Sequence, residues 1–183
     1  CMFINCKNDN ELIAPSVVLN RCIGDRLYVK RCDFSHGITV DQSKFTDLEV
    51  EDTIIDGINL TSTEIYAGEF YRCKLMSVGM RYNLIADTSF DRSTIDGVAS
   101  YGAVKQSKFN YCDVSCTIWS NIDLSDICFF ESDIYSMILR GCTVKDIECI
   151  DCDHQKFSIV YSSVFGIKFD SYKSESEEED KKE

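Results

Sequence analysis

Bulky apolar residues return every five positions along this chain, a spacing that neither an α-helix nor a lone strand produces. In the stretch SKFTDLEVEDTIIDGINL, Ser43 to Leu60, the series is Phe45, Val50, Ile55 and Leu60. An amphipathic helix repeats at i, i+3, i+4 and i+7, and a half-buried strand alternates at two. Stepping by five from Val40 passes through Phe45, Val50, Ile55, Leu60, Ile65, Phe70, Leu75, Met80, Ile85, Phe90 and Ile95, all apolar. With 44% hydrophobic residues overall, twelve such hits in a row have a chance of roughly one in twenty thousand. The unit of construction is five residues long.

The series continues on both sides after small changes of phase. Upstream it runs Ala14, Leu19, Gly24, Val29 and Phe34, with one extra residue before Val40. One residue is missing after Ile95, and the series resumes at Ala99, Val104, Phe109, Val114, Trp119, Leu124 and Phe129, ending near Phe169. Two residues before these centres lies a second series of mostly small side chains, including Cys32, Ser43, Thr53, Thr63, Cys73, Thr88, Ser93, Ser107, Cys112, Ser132 and Cys142.

A large apolar centre with a small residue two before it resembles the pentapeptide-repeat family. The resemblance spans about residues 12–171, with INL at Ile58 to Leu60 and IDL at Ile122 to Leu124 nearest the family's core. It implies an all-β fold, a right-handed quadrilateral β-helix in which both positions point inward and four units make one square coil. Every fourth centre should then share a wall. Counting through the phase changes collects Val29, Val50, Phe70, Phe90, Phe109, Phe129, Cys149 and Phe169, five of them Phe, while the other walls hold only Phe34 and Phe45 at their centres. Residue type segregates by wall, and rings about 4.8 Å apart can stack in offset rows. The expected organisation is an N-terminal cap or flexible start over residues 1–11, a β-helix of about eight coils over 12–171, and an acidic, disordered tail over 172–183.

Charge narrows the partners. The formal net charge is −12; the last ten residues carry six acids and two lysines, so −8 falls on the rest. Nucleic acid or an anionic membrane needs clustered Lys and Arg, which are missing here, so direct binding to either is not expected. No apolar run approaches the roughly 20 residues of a bilayer-spanning helix. The opening CMFINCKNDN lacks the basic and then apolar layout of a secretory signal.

Eleven cysteines, an odd number, point to reduced thiols in a cytoplasmic compartment rather than to a disulfide framework. Cys22, Cys32, Cys73, Cys112, Cys142 and Cys152 fall on the small inward series and Cys149 on a centre, where they act as small apolar fillers. Cys149, Cys152 and His154 in CIDCDH suggest a metal set, but the coil count puts Cys149 on another wall from the other two; no metal and no cofactor is expected. His36 and His154 are the chain's two histidines, and neither they nor the scattered carboxylates form a catalytic set. Asp113, Asp133 and Asp153 should stack in successive coils as solvated surface acids.

The expected function is therefore a non-enzymatic protein-binding module using the walls of a β-helix. The resemblance implies settings for it: bacterial effectors delivered into a host cell, and scaffolds that recruit substrates. It also implies an alternative, an acidic DNA mimic that binds and protects DNA gyrase. The partner is expected to be another protein or a second copy of the chain. Residues just before a centre face outward, which puts Val98, Ile118 and Ile138 in one exposed column, with Tyr82 and Tyr101 at the adjoining corner. These five are the candidate contact residues.

Overall fold

The computed structural model describes residues 2–4, 17–34 and 37–171. Among them there is no helix. All twenty-five strands belong to one sheet, and every pairing is parallel. Phe70 pairs with Val50 on one side and Phe90 on the other, and Ile65 likewise with Phe45 and Ile85. A register of about twenty residues repeated on four walls makes a square coil of about eight turns. The first wall carries centres from Leu19 to Ile159, the second from Gly24 to Val164, the third from Val29 to Phe169, and the fourth from Phe34 to His154.

A side is five residues long because the chain turns two residues after each centre. Among the described residues, twenty-four non-glycine residues have positive φ, from 43° to 59°, and each occupies that corner position. The left-handed region disfavours L-residues by roughly 1–2 kcal/mol. A backbone ladder offsets this: the corner N–H donates to the next coil, as from Arg31 to Glu51 O at 2.9 Å, Asp52 to Tyr71 O at 3.0 Å and Arg72 to Asp91 O at 2.9 Å. The corners hold Arg, Asp, Tyr, Ser, Gln and Lys alike, so geometry selects them and residue type does not.

Both phase changes are absorbed by glycine. Gly97, with φ at 143°, sits where the register shifts against both neighbouring coils, and a Cβ there would lie 2.1 Å from Val78 O. Gly37 follows the upstream extra residue with φ at 90°, and its Cβ would stand 2.6 Å from Gly57 O. No L-residue with a side chain fits either place without moving backbone.

The core is the stack of centres plus the positions two before them, and the small inward series from Cys32 to Cys142 is buried throughout. On the third wall Phe70, Phe90, Phe109 and Phe129 stack face to face, with centroids 4.7, 4.9 and 4.8 Å apart and ring planes within 17°. Cys149 continues the column between Phe129 and Phe169.

The inward small residues do more than fill space. Several present a hydroxyl, thiol or amide to the backbone of the coil before them: Ser43 Oγ accepts from Cys22 N–H at 3.0 Å, Asn83 Oδ1 from Thr63 N–H at 2.8 Å, and Ser93 Oγ from Cys73 N–H at 3.0 Å. These amides lie at corners where the ladder offers no acceptor, and a buried amide left unpaired costs about 1–3 kcal/mol.

The ends differ from the middle. Met2–Ile4 pairs with Leu27–Lys30 and extends the third wall by one level, so the expected cap contains a strand; the rest of 1–11, together with Ala14, His36 and the tail 172–183, lies outside the described residues. At the far end His154 holds an inward centre position yet is exposed, because among the described residues no coil follows it on that wall.

Candidate partner-binding surface

The first wall presents the expected apolar column. Val98, Ile118 and Ile138 are paired partners in three successive coils, placed by Thr94–Lys105, Asp113–Phe130 and Ile138–Arg140. Strand alternation turns Ala99, Trp119 and Leu139 inward, where all are buried, and their preceding neighbours outward. Val98 is 49% exposed and Ile118 37%, while Ile138 is half-buried. The register shift at Gly97 leaves Val98 in line with Ile118.

Two residues past the centres, at the adjoining corner, Tyr82 and Tyr101 stack with centroids 5.3 Å apart. They are 54% and 46% exposed. Both adopt the left-handed corner conformation, so their Cα–Cβ bonds leave the rod in the same direction. The Arg81 guanidinium lies 5.1 Å from the Tyr82 ring. The surface thus combines three aliphatic side chains, two stacked aromatic rings and a cation, on walls whose backbone is tied into the coils on both sides.

Five residues per side and four sides per coil fix the architecture. The geometry is that of a pentapeptide-repeat β-helix. No protein-family model and no curated protein matches the sequence. Among solved structures, the chain is similar to HetL, a pentapeptide repeat protein involved in heterocyst differentiation regulation from the cyanobacterium Nostoc sp., at 9% identity over 81% of this chain and 85% of that one, with a TM-score of 0.30. It is also similar to QnrB1, a plasmid-mediated fluoroquinolone resistance protein, at 9% identity over 81% of this chain and 92% of that one, with a TM-score of 0.33.

The charged residues form a second, separate feature at the corner after the third wall. Arg72 Nε and a terminal nitrogen reach Asp52 at 2.5 and 2.7 Å, the same guanidinium lies 3.1 Å from Glu51, and Lys30 pairs with the other oxygen of Glu51. The Tyr71 ring lies 4.3 Å from Arg72. Arg72 holds the Asp52 carboxyl below the usual carboxylate range. Arg72 meets Asp52 and Glu51 across coils, a pairing that only the coil register reveals, whereas Arg92 lies 3.7 Å from its sequence neighbour Asp91.

The remaining candidates are also placed. Asp113, Asp133 and Asp153 pair in successive coils and face solvent, as expected. Cys149 is buried, Cys152 is partly exposed, and His154 lies at the rod's end with its ring 4.6 Å from Phe169 and Nδ1 3.3 Å from Cys152 O. Among the described residues, no three of His, Cys, Asp or Glu are gathered so as to hold a metal ion. Sequence reasoning missed the exposed aromatics of the last coil, Tyr161 and Phe165, at 94% and 69%. Their signal was position, since a residue in a terminal coil has no next coil to cover it.

Proposed function

We propose that this chain is a non-enzymatic protein-binding module whose contact surface is the outer face of the first wall, centred on Ile118 and bounded by Val98, Ile138, Tyr82 and Tyr101. The observation that carries this reading is the in-register exposure of three aliphatic residues beside a stacked tyrosine pair. Isolated apolar side chains on a surface are ordinary, whereas a contiguous column with aromatics and Arg at its rim has the composition of interface hot spots. Stacked strands hold the patch rigid, which lowers the entropy lost on binding. The working unit is the rod over residues 12–171.

The acidic DNA-mimic reading has less support. A mimic of a phosphate backbone needs acids free to meet a cationic groove, and Asp52 and Glu51 are already engaged by Arg72 and Lys30. Protection of gyrase supercoiling by stoichiometric chain would reverse this ranking.

The deciding experiment is the double variant Ile118→Lys with Ile138→Lys. Both side chains point outward, so circular dichroism and thermal midpoint should stay near those of the parent. Partner capture and self-association, read by pull-down and sedimentation, should both fall by at least tenfold. Retention of both by a folded variant would dismiss the first wall as the contact surface.

A further inference from the structure

We infer that Cys149 and Cys152 form a redox-active dithiol that closes to an intramolecular disulfide by exchange with a low-molecular-weight disulfide, while the other inward thiols stay reduced. The argument begins with columns. Two residues before the centres of the fourth wall, the residues are Cys32, Thr53, Cys73, Ser93, Cys112, Ser132 and Cys152. Thiols and hydroxyls alternate, so neighbouring cysteines of this column are two coils, or about 10 Å, apart. A disulfide needs Cα atoms within about 7 Å, so this column cannot cross-link itself.

Cys149 and Cys152 are related differently. They flank one corner, with Asp151 at φ 50° between them, and a four-residue turn brings its end residues within about 7 Å. Both side chains point inward, and Cys152 Sγ also lies 3.4 Å from Phe129 O and 3.3 Å from Ile150 O. Of the described inward cysteines, no other two share a corner. Cys149 is buried, whereas Cys152 stands at the rod's open end, partly exposed. The pair therefore has one accessible and one sheltered sulfur, the arrangement an attacking and a resolving thiol require. The nearness of the two thiols also favours ionisation of the accessible Cys152 over the sheltered Cys149, whose own thiol that nearness and burial push up.

The chemistry balances without a metal. The Cys152 thiolate attacks one sulfur of glutathione disulfide, forming a mixed disulfide and releasing one glutathione thiolate. The Cys149 sulfur then attacks the Cys152 sulfur of that mixed disulfide, expels the second glutathione thiolate, and passes its proton to it. Two protein thiols are oxidised and one glutathione disulfide is reduced to two thiols. The ring closes over a single corner, so it removes little chain entropy and registers redox state rather than stapling the rod.

The test equilibrates the reduced chain in glutathione buffers of stepped ratio, followed by acid quenching and peptide mapping. Cleavage after Lys145 and Lys156 releases residues 146–156, which contain Cys149 and Cys152 and no other cysteine. The expected product is that peptide lacking two hydrogens, with Cys73, Cys112 and Cys142 still free thiols. Cys149→Ala should trap the glutathione adduct on Cys152. Cys152→Ser, which repeats the hydroxyl already present at Ser132, should leave Cys149 unmodified in a folded rod. A persistent adduct on Cys152 in the parent, or closure only in denaturant, would overturn the assignment.

Discussion

Ser132 Oγ accepts the backbone N–H of Cys112, one coil away, at 3.0 Å, and the carbonyls of Phe109 and Phe130 lie 3.0 and 2.9 Å from the same oxygen. One buried hydroxyl thereby serves an amide that the ladder leaves out and returns its own proton to a carbonyl. Ser132→Ala should lower stability by about 1–3 kcal/mol, because it strands a buried donor. Ser120→Ala, at an outward position on the first wall, should stay within about 0.5 kcal/mol. Urea melts of the two variants decide the matter, and equal midpoints would remove the hydroxyl's structural role.

The phenylalanine column makes a second prediction. Phe109 is 3% exposed and lies between two parallel rings. Phe109→Leu should cost about 1–3 kcal/mol through lost volume and stacking. Phe109→Asp puts an unpartnered charge in the same place and should leave no cooperative transition. A folded, native-like Phe109→Asp rod would contradict the register itself, since an outward residue there would accept the change.

Much of this architecture was legible because a square coil imposes one rule on each side. The five-residue period, the Phe column, the small inward series and the outward set Val98, Ile118 and Ile138 follow from residue size alone. The corners were not legible as conformation. Arg72, Tyr82, Asp126 and Lys156 share φ values between 51° and 58° without sharing chemistry, since the ladder and not the side chain enforces the turn. The hydrogen-bond role of Thr53 and Ser132 was likewise hidden: a small polar residue inside a rod reads as a filler until the amide it meets is located. The pairing of Met2–Ile4 onto the third wall lies outside the five-residue phase, and so no periodic count could find it. At the candidate site, the sequence could place the five residues but not the stacking of Tyr82 on Tyr101, which depends on both corners being left-handed.

The deletion after Ile95 yields the third prediction. Gly97→Ala would press a Cβ against Val78 O at 2.1 Å, with backbone on both sides of the contact. Gly141 has φ at 63°, the ordinary corner value, and its added Cβ would meet the side-chain Oδ1 of Asn121 at 2.8 Å, which can rotate away. Gly97→Ala should therefore lower the thermal midpoint by several degrees more than Gly141→Ala does, with a stability loss above about 2 kcal/mol. It should also disturb Val98 and weaken binding at the first wall. Equal midpoints would mean that the register shift is not held by this glycine.

The last prediction concerns the buried thiols and alkaline pH. Burial pushes the Cys73 and Cys112 thiols up to about 11, whereas a cysteine in the unfolded chain titrates near ~8.5. Between those values the folded rod keeps both protons and the unfolded chain releases them, so the unfolded state binds fewer protons and stability falls as pH rises. The stabilisation is fully present below about 8.5 and is lost progressively toward 11. Each thiol contributes a slope of at most about 1.4 kcal/mol per pH unit. Cys73→Ser with Cys112→Ser removes both titrations while keeping groups of the kind already found at Ser93 and Ser132 in the same column. Stability measured by urea denaturation from pH 7 to 10.5 should decline less steeply in that variant than in the parent. Thiol alkylation at pH 8 should show the same two cysteines reacting at least a hundredfold faster in denaturant than in the folded rod. Parallel stability profiles, or rapid alkylation of Cys73 and Cys112 without denaturant, would show that these sulfurs are open to water and would contradict the inward assignment of the fourth-wall column.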